Sequence, residues 1–284
     1  MKTYAQFLAE HFSGKIRKLP IDTALGCPHG GRCTYCLNAA FSPDAGKAAR
    51  PIAEQLERGK RFFAGKYHSC RYLAYFQSYT STNAPTSALM EMFGEAMADK
   101  DVAGVAVSTR PDSVPDELLA AVKSLPKPVF FEIGAESSHD ATLRRVNRGH
   151  TWADTADTVA RIAAAGIPVG IHLINGLPGE DEAMMLESAM KANALPIDSI
   201  KFHHLQILRG TPLGQAFLRG EELDVIHFTP ESYAALCRRI TDVVRRDIAI
   251  ERFVAEAPRH LLLSPKWGIK PCDFNLMLTL PTAD

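Results

Sequence analysis

Three of the six cysteines in this chain fall within ten residues, and this clustering is the feature most able to do chemistry. They stand in the segment CPHGGRCTYC as Cys27, Cys33 and Cys36, directly after a predicted strand. The adjacent glycines Gly30 and Gly31 relax the loop backbone, so the three thiolates can converge on one metal centre.

Three interpretations of this loop compete. The thiols could simply be packed, or they could bind a structural zinc ion with His29 or another residue as the fourth ligand. They could instead hold a [4Fe–4S] cluster, which normally takes four cysteines, so that three would leave one iron open. The other cysteines, Cys70, Cys237 and Cys272, are scattered singly and are expected to be packed thiols.

Short apolar runs alternate with segments of helical periodicity through most of the chain. The predicted strands are Ile21–Gly26, Tyr72–Gln77, Gly104–Ser108, Val129–Gly134, Ile167–Leu173 and Ser199–Leu205. The predicted helices are Ile52–Phe63, Thr86–Ala98, Asp116–Lys123, Ala153–Ala165 and Glu182–Ala194. This alternation predicts an α/β fold with a parallel sheet. Six strand–helix units make an incomplete barrel or an open sheet, whereas eight would complete a barrel.

The last part of the chain has a different pattern. Pro230 is predicted to open a helix that continues to about Asp247, and a strand is predicted at Ile248–Val254. The segment Ala257–Gly268, which contains two prolines, is expected to be irregular. We therefore predict a core formed by residues 1–212 and a short C-terminal extension, residues 213–284, that packs on it.

The composition sets limits on the class of protein. The 284 residues carry 32 Lys+Arg and 32 Asp+Glu, and 46% are hydrophobic, which excludes a disordered or collagen-like chain. Zero net charge argues against a protein coated by polyanions but is compatible with a local basic patch. The N-terminus lacks a continuous apolar run, and six cysteines are too few for a disulfide scaffold. We expect a soluble cytoplasmic protein with reduced thiols and no membrane partner.

Several segments together resemble the motifs of a known family, the radical S-adenosylmethionine (SAM) superfamily. In chain order they are CPHGGRCTYC, YFQSYTST, STRPD, EIGAESSHDATLRRVNRGHT, INGLPGE and ILRGTPL. The resemblance covers Ile21 to about Pro212. Within the superfamily, the chain is most similar to the elongator-catalytic-subunit and coproporphyrinogen-dehydrogenase branch. Within that branch, it most resembles the YhcC/YtqA-like proteins. It implies a partial (β/α)6 TIM-like barrel, with a [4Fe–4S] cluster held after the first strand by Cys27, Cys33 and Cys36.

The resemblance also assigns SAM-binding roles to residues that follow the strands. Tyr35 matches the aromatic residue of the cluster loop, which lies near the adenine. Gln77 and Ser78 occupy the place of the motif for the SAM amino group, although its glycines are missing here. Ser108 is a candidate polar contact, with an ordinary strand-end serine as the alternative, and the carboxylate of Glu136 could accept both ribose hydroxyls.

Further candidates follow later in the chain. Arg148 matches the arginine that contacts the SAM carboxylate, for which a guanidinium is suited; a surface salt bridge is the alternative. His172 occupies a ribose-contact position, or it is a satisfied core histidine. Gly176 and Gly179 either let the backbone approach the nucleoside or are simple turn glycines. The end of the sixth strand adds His203, His204 and Gln206. Alternation would turn only one of the two adjacent histidines inward.

The activity that the resemblance implies is reductive cleavage of SAM to methionine and a 5′-deoxyadenosyl radical, which removes a hydrogen atom from a substrate. An electron donor such as flavodoxin or ferredoxin would reduce the cluster. In such an enzyme the cofactor carries the difficult chemistry, and the protein supplies positioning and a dry pocket at the barrel mouth.

A basic stretch suggests a substrate. Arg58–Arg71 has five Lys/Arg, three aromatic residues and no acidic residue. The predicted tail helix adds Arg238, Arg239, Arg245 and Arg246. Such surfaces suit RNA, although a solvated charged face is the alternative. Because the branch includes modifiers of tRNA wobble uridines, tRNA modification is the first hypothesis, with Lys60, Arg61 and Lys66 as phosphate contacts. A small molecule such as a tetrapyrrole precursor is the second hypothesis, and a non-catalytic iron–sulfur or zinc module is the third.

Overall fold

The computed structural model describes residues 1–40, 50–65, 70–255 and 257–279. Its strands are β1 (Lys2–Thr3), β2 (Ile16–Ile21), β3 (Arg71–Phe76), β4 (Val102–Thr109), β5 (Val129–Glu136), β6 (Val169–Asn175), β7 (Ser199–His204), β8 (Ile207–Leu208), β9 (Ala249–Ile250) and β10 (Leu262–Ser264). Its helices are α1 (Tyr4–His11), α2 (Ile52–Ala64), α3 (Thr86–Ala98), α4 (Asp116–Val122), α5 (Asp140–Arg145), α6 (Trp152–Ala164), α7 (Glu182–Ala192), α8 (Pro212–Leu218), α9 (Pro230–Val243) and α10 (Pro271–Thr279).

Eight strands form one sheet in which every neighbouring pair is parallel. The order is β1-β9-β7-β6-β5-β4-β3-β2, so the six predicted strands lie side by side in chain order from β2 to β7. Strands β8 and β10 pair antiparallel outside this sheet. Parallel pairing brings the carboxyl ends of all the main strands to one edge, where the loops after them meet.

The sheet curls into a half-barrel, which is visible in one contact across its interior. Lys18 lies on β2 at one edge, and Glu251 follows β9, the second strand from the other edge. Their side chains nevertheless meet, with Lys18 Nζ 2.5 Å from Glu251 Oε2. The predicted α/β partial barrel is therefore confirmed.

Side chains alternate between the two faces of the curled sheet. Leu19, Phe76 and Phe131 face outward into the large apolar cluster under the helices. Lys18 and Glu132 face the barrel interior, where they form a salt bridge with each other. The period of two that puts apolar residues under the helices therefore also puts charged residues inside the barrel.

The N-terminus packs against the interior of the half-barrel and was not predicted from the sequence. Thr3 and Gln6 form a capping box at the start of α1. Phe7 on this helix packs edge-on against Phe130 of β5 at 5.9 Å between ring centroids. A two-residue strand and one short helix carry little local signal, because their stability comes from contacts distant in sequence.

Two predicted strands are placed differently in the structure. The first strand is Ile16–Ile21 rather than Ile21–Gly26, because Asp22 accepts a hydrogen bond from the Ala24 amide (2.9 Å) and Ala24 adopts a positive φ of 54°. This local turn takes the chain out of the sheet. In the tail, only Ala249–Ile250 of the predicted Ile248–Val254 strand pairs with the sheet.

Within residues 1–40, 50–65, 70–255 and 257–279, no helix is both long and apolar enough to cross a bilayer.

Candidate functional site

A cavity opens at the carboxyl ends of the parallel strands. Its lining includes six of the seven predicted cofactor residues together with one predicted metal ligand: Tyr35, Gln77, Ser78, Ser108, Glu136, His172 and Cys36. It also includes His203, His204, Gln206, Lys201 and Arg252. The seventh predicted residue, Arg148, lies behind Glu136. Loops at this edge of a parallel barrel are where such folds carry their active sites.

The three cysteines of the CPHGGRCTYC segment, called the cluster cysteines from here on, each receive a hydrogen bond from a different part of the fold. Thr80 Oγ1 donates to Cys27 Sγ (3.3 Å). Asn38 Nδ2 donates to Cys36 Sγ (3.5 Å). Arg148 Nη1 donates to Cys33 Sγ (3.8 Å). Donors directed at sulfur stabilise thiolates, which is the form in which cysteine binds a metal.

The electrostatics of Cys36 show that the cluster cysteines lie within range of one another. Burial and the nearby Cys33 and Cys27 together raise its pKa to about 12, and Arg148 opposes them. A proton therefore leaves the Cys36 thiol readily only when a metal centre compensates the negative charge.

The cysteine loop is held against the loop after α5 by backbone contacts. The Thr34 amide donates to the Val146 carbonyl (3.0 Å), and Asn147 Nδ2 donates to the Arg32 carbonyl (3.0 Å). At Gly149, φ is +81° and an added Cβ would lie 2.5 Å from the His29 ring. Only glycine permits this approach, so the NRGH segment positions the cluster cysteines.

Arg148 and Glu136 form a buried ion pair beside the cavity. Arg148 Nη2 lies 3.3 Å from Glu136 Oε1 and donates to the Gly134 carbonyl (2.7 Å). Burial raises the pKa of Glu136, and Arg148 opposes that shift. Glu136 adopts a positive φ of 68° at the end of β5. Such a conformation is costly for a residue with a side chain, and residues of this kind cluster at functional sites.

A charged group forms the floor of the cavity, and sequence reasoning missed most of it. Glu132 bonds Lys18, Lys201 Nζ (2.7 Å), His172 Nε2 (2.8 Å) and the Tyr75 hydroxyl (2.8 Å). Burial opposes ionisation of Glu132, but the two lysines outweigh it and hold its pKa well below the ordinary value. The available signal was Glu132, a charged residue inside the otherwise apolar run VFFEIG of β5.

The neighbours of this floor have shifted pKa values as well. Burial, together with Lys18 and Arg252, lowers the pKa of Lys201 to about 8. Burial and Lys201 lower the pKa of His172 to about 4, so its ring is neutral at physiological pH. A neutral imidazole has one donor and one acceptor nitrogen, and the pairing with the Glu132 carboxylate puts the proton on Nε2.

The adjacent histidines at the end of β7 turn to different neighbours. The His203 ring lies 6.1 Å from that of His172 and accepts a hydrogen bond from Arg252 (3.3 Å). The His204 ring stacks on Trp267 at 4.3 Å, towards the tail. Both rings line the cavity because β7 ends there.

Two predicted turn glycines lie elsewhere. Gly176 and Gly179 both have positive φ, but neither lines the cavity described above. At Gly179 the close approach is to Arg145, whose Nη1 would lie 2.4 Å from an added Cβ. The glycine at this position therefore makes room for an arginine.

Arg110 is a supporting residue that the sequence reasoning did not single out, although it stands in the STRPD motif. It is buried, forms a forked pair with Asp112 (2.8 and 2.7 Å), and donates to the Arg148 carbonyl (2.8 Å). A forked guanidinium–carboxylate pair is a rigid geometry. Arg110 thus holds the backbone that carries Arg148.

Three cations of the predicted basic surfaces are paired with nearby acids, namely Lys60, Arg239 and Arg245. Lys60 contacts Glu57, Asp99 and Asp101 at 2.5 to 3.5 Å, which contradicts its assignment as a phosphate contact. Lys66 and Tyr67 lie outside the described residues. On the tail helix, Arg239 pairs with Glu182 and Arg245 with Asp247.

The scattered cysteines do not join the cluster loop. Cys237 is fully buried on α9, in the outer apolar cluster, and burial raises the pKa of its thiol well above the ordinary value. Cys70 is half-buried and Cys272 is exposed.

Comparison with known proteins identifies the class of protein. The family model of the radical SAM superfamily matches residues 21–192, and that of the Radical_SAM C-terminal domain matches residues 197–275. The chain therefore belongs to the radical SAM superfamily, whose enzymes use a [4Fe–4S] cluster and SAM.

Individual relatives agree with this assignment. Protein YhcC of Escherichia coli K12 is 35% identical over 269 residues, which cover 92% of this chain and 85% of YhcC. A tRNA uridine(34) acetyltransferase of Methanocaldococcus infernus is 28% identical over 119 residues, 40% of this chain and 22% of that protein. The solved structure of Methanocaldococcus infernus Elp3 superposes with a TM-score of 0.71 at 14% identity, covering 94% of this chain and 62% of Elp3. The predicted family is confirmed.

The residues present fit these two cofactors. Within residues 1–40, 50–65, 70–255 and 257–279, no group of three or more His, Cys, Asp or Glu could hold a single metal ion. The three cluster cysteines, each with a hydrogen-bond donor directed at its sulfur, are of the ligand type that an iron–sulfur cluster takes. Ser78 Oγ and Arg148 Nε are buried without a hydrogen-bond partner in the described chain, so a polar ligand in this region would satisfy them.

Proposed function

We propose that this protein holds a [4Fe–4S] cluster on Cys27, Cys33 and Cys36 and binds SAM in the adjoining cavity to modify the wobble uridine of tRNA. The observation that carries the first part is the contact between the cysteine loop and the cavity. Tyr35 and Cys36 line it from one side, and Glu136 and Ser78 line it from the strand ends.

When bound, the reduced cluster and SAM supply a 5′-deoxyadenosyl radical that abstracts a hydrogen atom from a substrate. The chain's own residues bind and orient SAM, and they exclude water from the cavity. Arg148 meets the SAM carboxylate with a guanidinium that Glu136, the Gly134 carbonyl and the Cys33 thiol already hold. Tyr35 covers the adenine.

The remaining predicted contacts are polar groups on the strand side of the cavity. Gln77 and Ser78 contact the amino group of SAM, and Glu136 and His172 contact its ribose. Ser108 is a further polar contact. Neutral His172 donates from Nε2 to Glu132, so its other nitrogen is an acceptor for a ribose hydroxyl. The electron comes from a cytoplasmic donor such as flavodoxin or ferredoxin.

The tRNA part of the proposal is supported by a relative. The similar protein from Methanocaldococcus infernus is named for action on tRNA uridine 34. A small-molecule substrate such as a tetrapyrrole precursor is the second candidate, because polar and charged side chains such as Lys201 and Arg252 converge on the cavity. In either case residues 213–284 form an extension of the core at residues 1–212.

Nucleoside mass spectrometry tests the substrate. Total tRNA from cells that lack the protein is incubated anaerobically with reconstituted protein, SAM and a reductant, then digested and compared with untreated tRNA. We expect a mass change in a wobble uridine that depends on SAM. Unchanged tRNA nucleosides in the presence of continuing SAM cleavage would refute tRNA as the substrate.

A further inference from the structure

A groove formed by the tail adjoins the cofactor cavity. This groove, called the tail groove, is open to solvent. His204 and Gln206 line both the tail groove and the cavity, so these two side chains form the wall between them. A substrate that enters along the tail would therefore reach the strand ends past this wall.

The outer side of the tail groove is cationic. It carries Arg259, Lys266 and Lys270, all exposed. No Asp or Glu stands among the described residues that line it. None of the three cations takes part in a salt bridge within the described chain, in contrast to Lys60 on α2. An uncompensated cluster of one sign raises the local concentration of anions.

The groove is a built feature of the fold. The Arg209 amide donates to the Leu261 carbonyl (2.7 Å), and β10 pairs with β8, which anchors the segment carrying Arg259. Trp267 Nε1 donates to the Phe228 carbonyl (2.8 Å), and its ring stacks on His204. The cationic wall is thus attached to the same strand end that borders the cavity.

Two polar atoms in the dividing wall have no partner in the described chain: His204 Nδ1 and Gln206 Oε1. Gln206 Nε2 donates to the Ala255 carbonyl (2.7 Å), which identifies it as the amide nitrogen, and it also meets His204 Nε2 (3.3 Å). The His204 ring is neutral, so its proton lies on Nδ1. The wall therefore holds one buried donor and one buried acceptor without a partner in the described chain, and polar atoms of this kind are normally satisfied.

We propose that the tail groove binds the backbone phosphates that flank the reacting nucleotide of an RNA, while that nucleotide passes His204 and Gln206 into the cavity. This inference rests on the proposed function and names the surface that tRNA uses. Exposed cations spread along an open groove suit the repeated charges of a phosphate backbone, which Lys and Arg neutralise. Two of the unpaired atoms of the described chain then lie where the base would enter.

The test measures binding of a fluorescein-labelled tRNA anticodon stem-loop to the cluster-loaded protein by anisotropy over a range of salt concentrations. The groove variant is R259Q/K266Q/K270Q. The control variant K15Q/K100Q/K123Q removes the same charge from exposed residues that precede β2, β4 and β5, at the opposite end of the strands. A charge-preserving variant, R259K/K266R/K270R, checks that charge and not local structure is responsible.

The expected result is a slope of log affinity against log salt that is flatter by about two to three in the groove variant, since each phosphate contact contributes roughly 0.7 to 0.9. The control and charge-preserving variants should keep the wild-type slope. If the groove variant binds like the control variant, the tail groove does not bind the RNA phosphates, and the proposed function is not affected. A wild-type protein that does not bind the stem-loop even at low salt overturns both the groove and tRNA as the substrate.

Discussion

The ion pair between Arg148 and Glu136 is the part of the site where a single substitution has the most calculable effect. The two charges lie 3.3 Å apart and both side chains are buried. At an effective dielectric constant near 20 they attract by about 5 kcal/mol, and their desolvation offsets much of this. Arg148→Ala leaves Glu136 as an unpaired buried carboxyl and should lower the free energy of unfolding by about 3–5 kcal/mol.

A double-mutant cycle separates the pair from the individual side chains. In urea denaturation, Arg148→Ala combined with Glu136→Gln should cost less than the sum of the two single changes, by about 1–3 kcal/mol. Arg148→Lys keeps the charge but loses the planar fork. By equilibrium dialysis it should bind SAM more weakly by roughly 1–3 kcal/mol, with unchanged iron content. The reasoning would be refuted if the two single changes had additive effects on the free energy of unfolding and Arg148→Ala bound SAM with unaltered affinity.

Three further predictions concern other parts of the molecule. Alanine at any cluster cysteine should lower the iron content in a colorimetric assay, whereas Cys237→Ala should retain it. Iron loss in Cys237→Ala alone would refute the assignment of the cluster ligands. Glu132→Gln leaves Lys18 and Lys201 facing each other, so urea denaturation should show a loss of about 3–5 kcal/mol, and an unchanged midpoint would contradict the charged floor. Burial and Arg148 lower the pKa of His150 from 6.5 to about 4, so the unfolded chain binds its proton more tightly. Its contribution to stability is complete above pH 6.5 and should fall by up to about 3 kcal/mol as the pH drops to about 4, and His150→Phe should remove that part of the pH dependence.

The central sheet was predictable because each middle strand is a nearly continuous apolar run bounded by helices. The first strand was misplaced because its sequence, IRKLPI, contains Arg17 and Lys18. Lys18 is stabilised there by Glu132 and Glu251, which are 114 and 233 residues away in sequence. No local sequence pattern indicates that these distant residues pair. The pairing of strand β1 with strand β9 was unpredictable for the same reason.

The candidate site was predictable at the level of its loops. Residues that follow consecutive parallel strands meet at one edge, and the structure brings Tyr35, Ser108 and His172 to a single cavity for that reason. The supporting residues were not predictable, because Arg110 and Lys201 act through contacts that only the fold creates. The basic stretch illustrates the opposite error, since charge counts along the chain do not show that Asp99 neutralises Lys60.

The central claim is that the cluster cysteines and the cavity together cleave SAM, and the amount of 5′-deoxyadenosine formed is its most direct measure. The protein is reconstituted anaerobically with iron and sulfide, reduced with dithionite and incubated with SAM, and the product is quantified by chromatography. We predict 5′-deoxyadenosine from the wild-type protein and none from Cys36→Ala. A wild-type protein fully loaded with iron and sulfide that forms no 5′-deoxyadenosine, or a Cys36→Ala variant that forms the wild-type amount, would contradict the account.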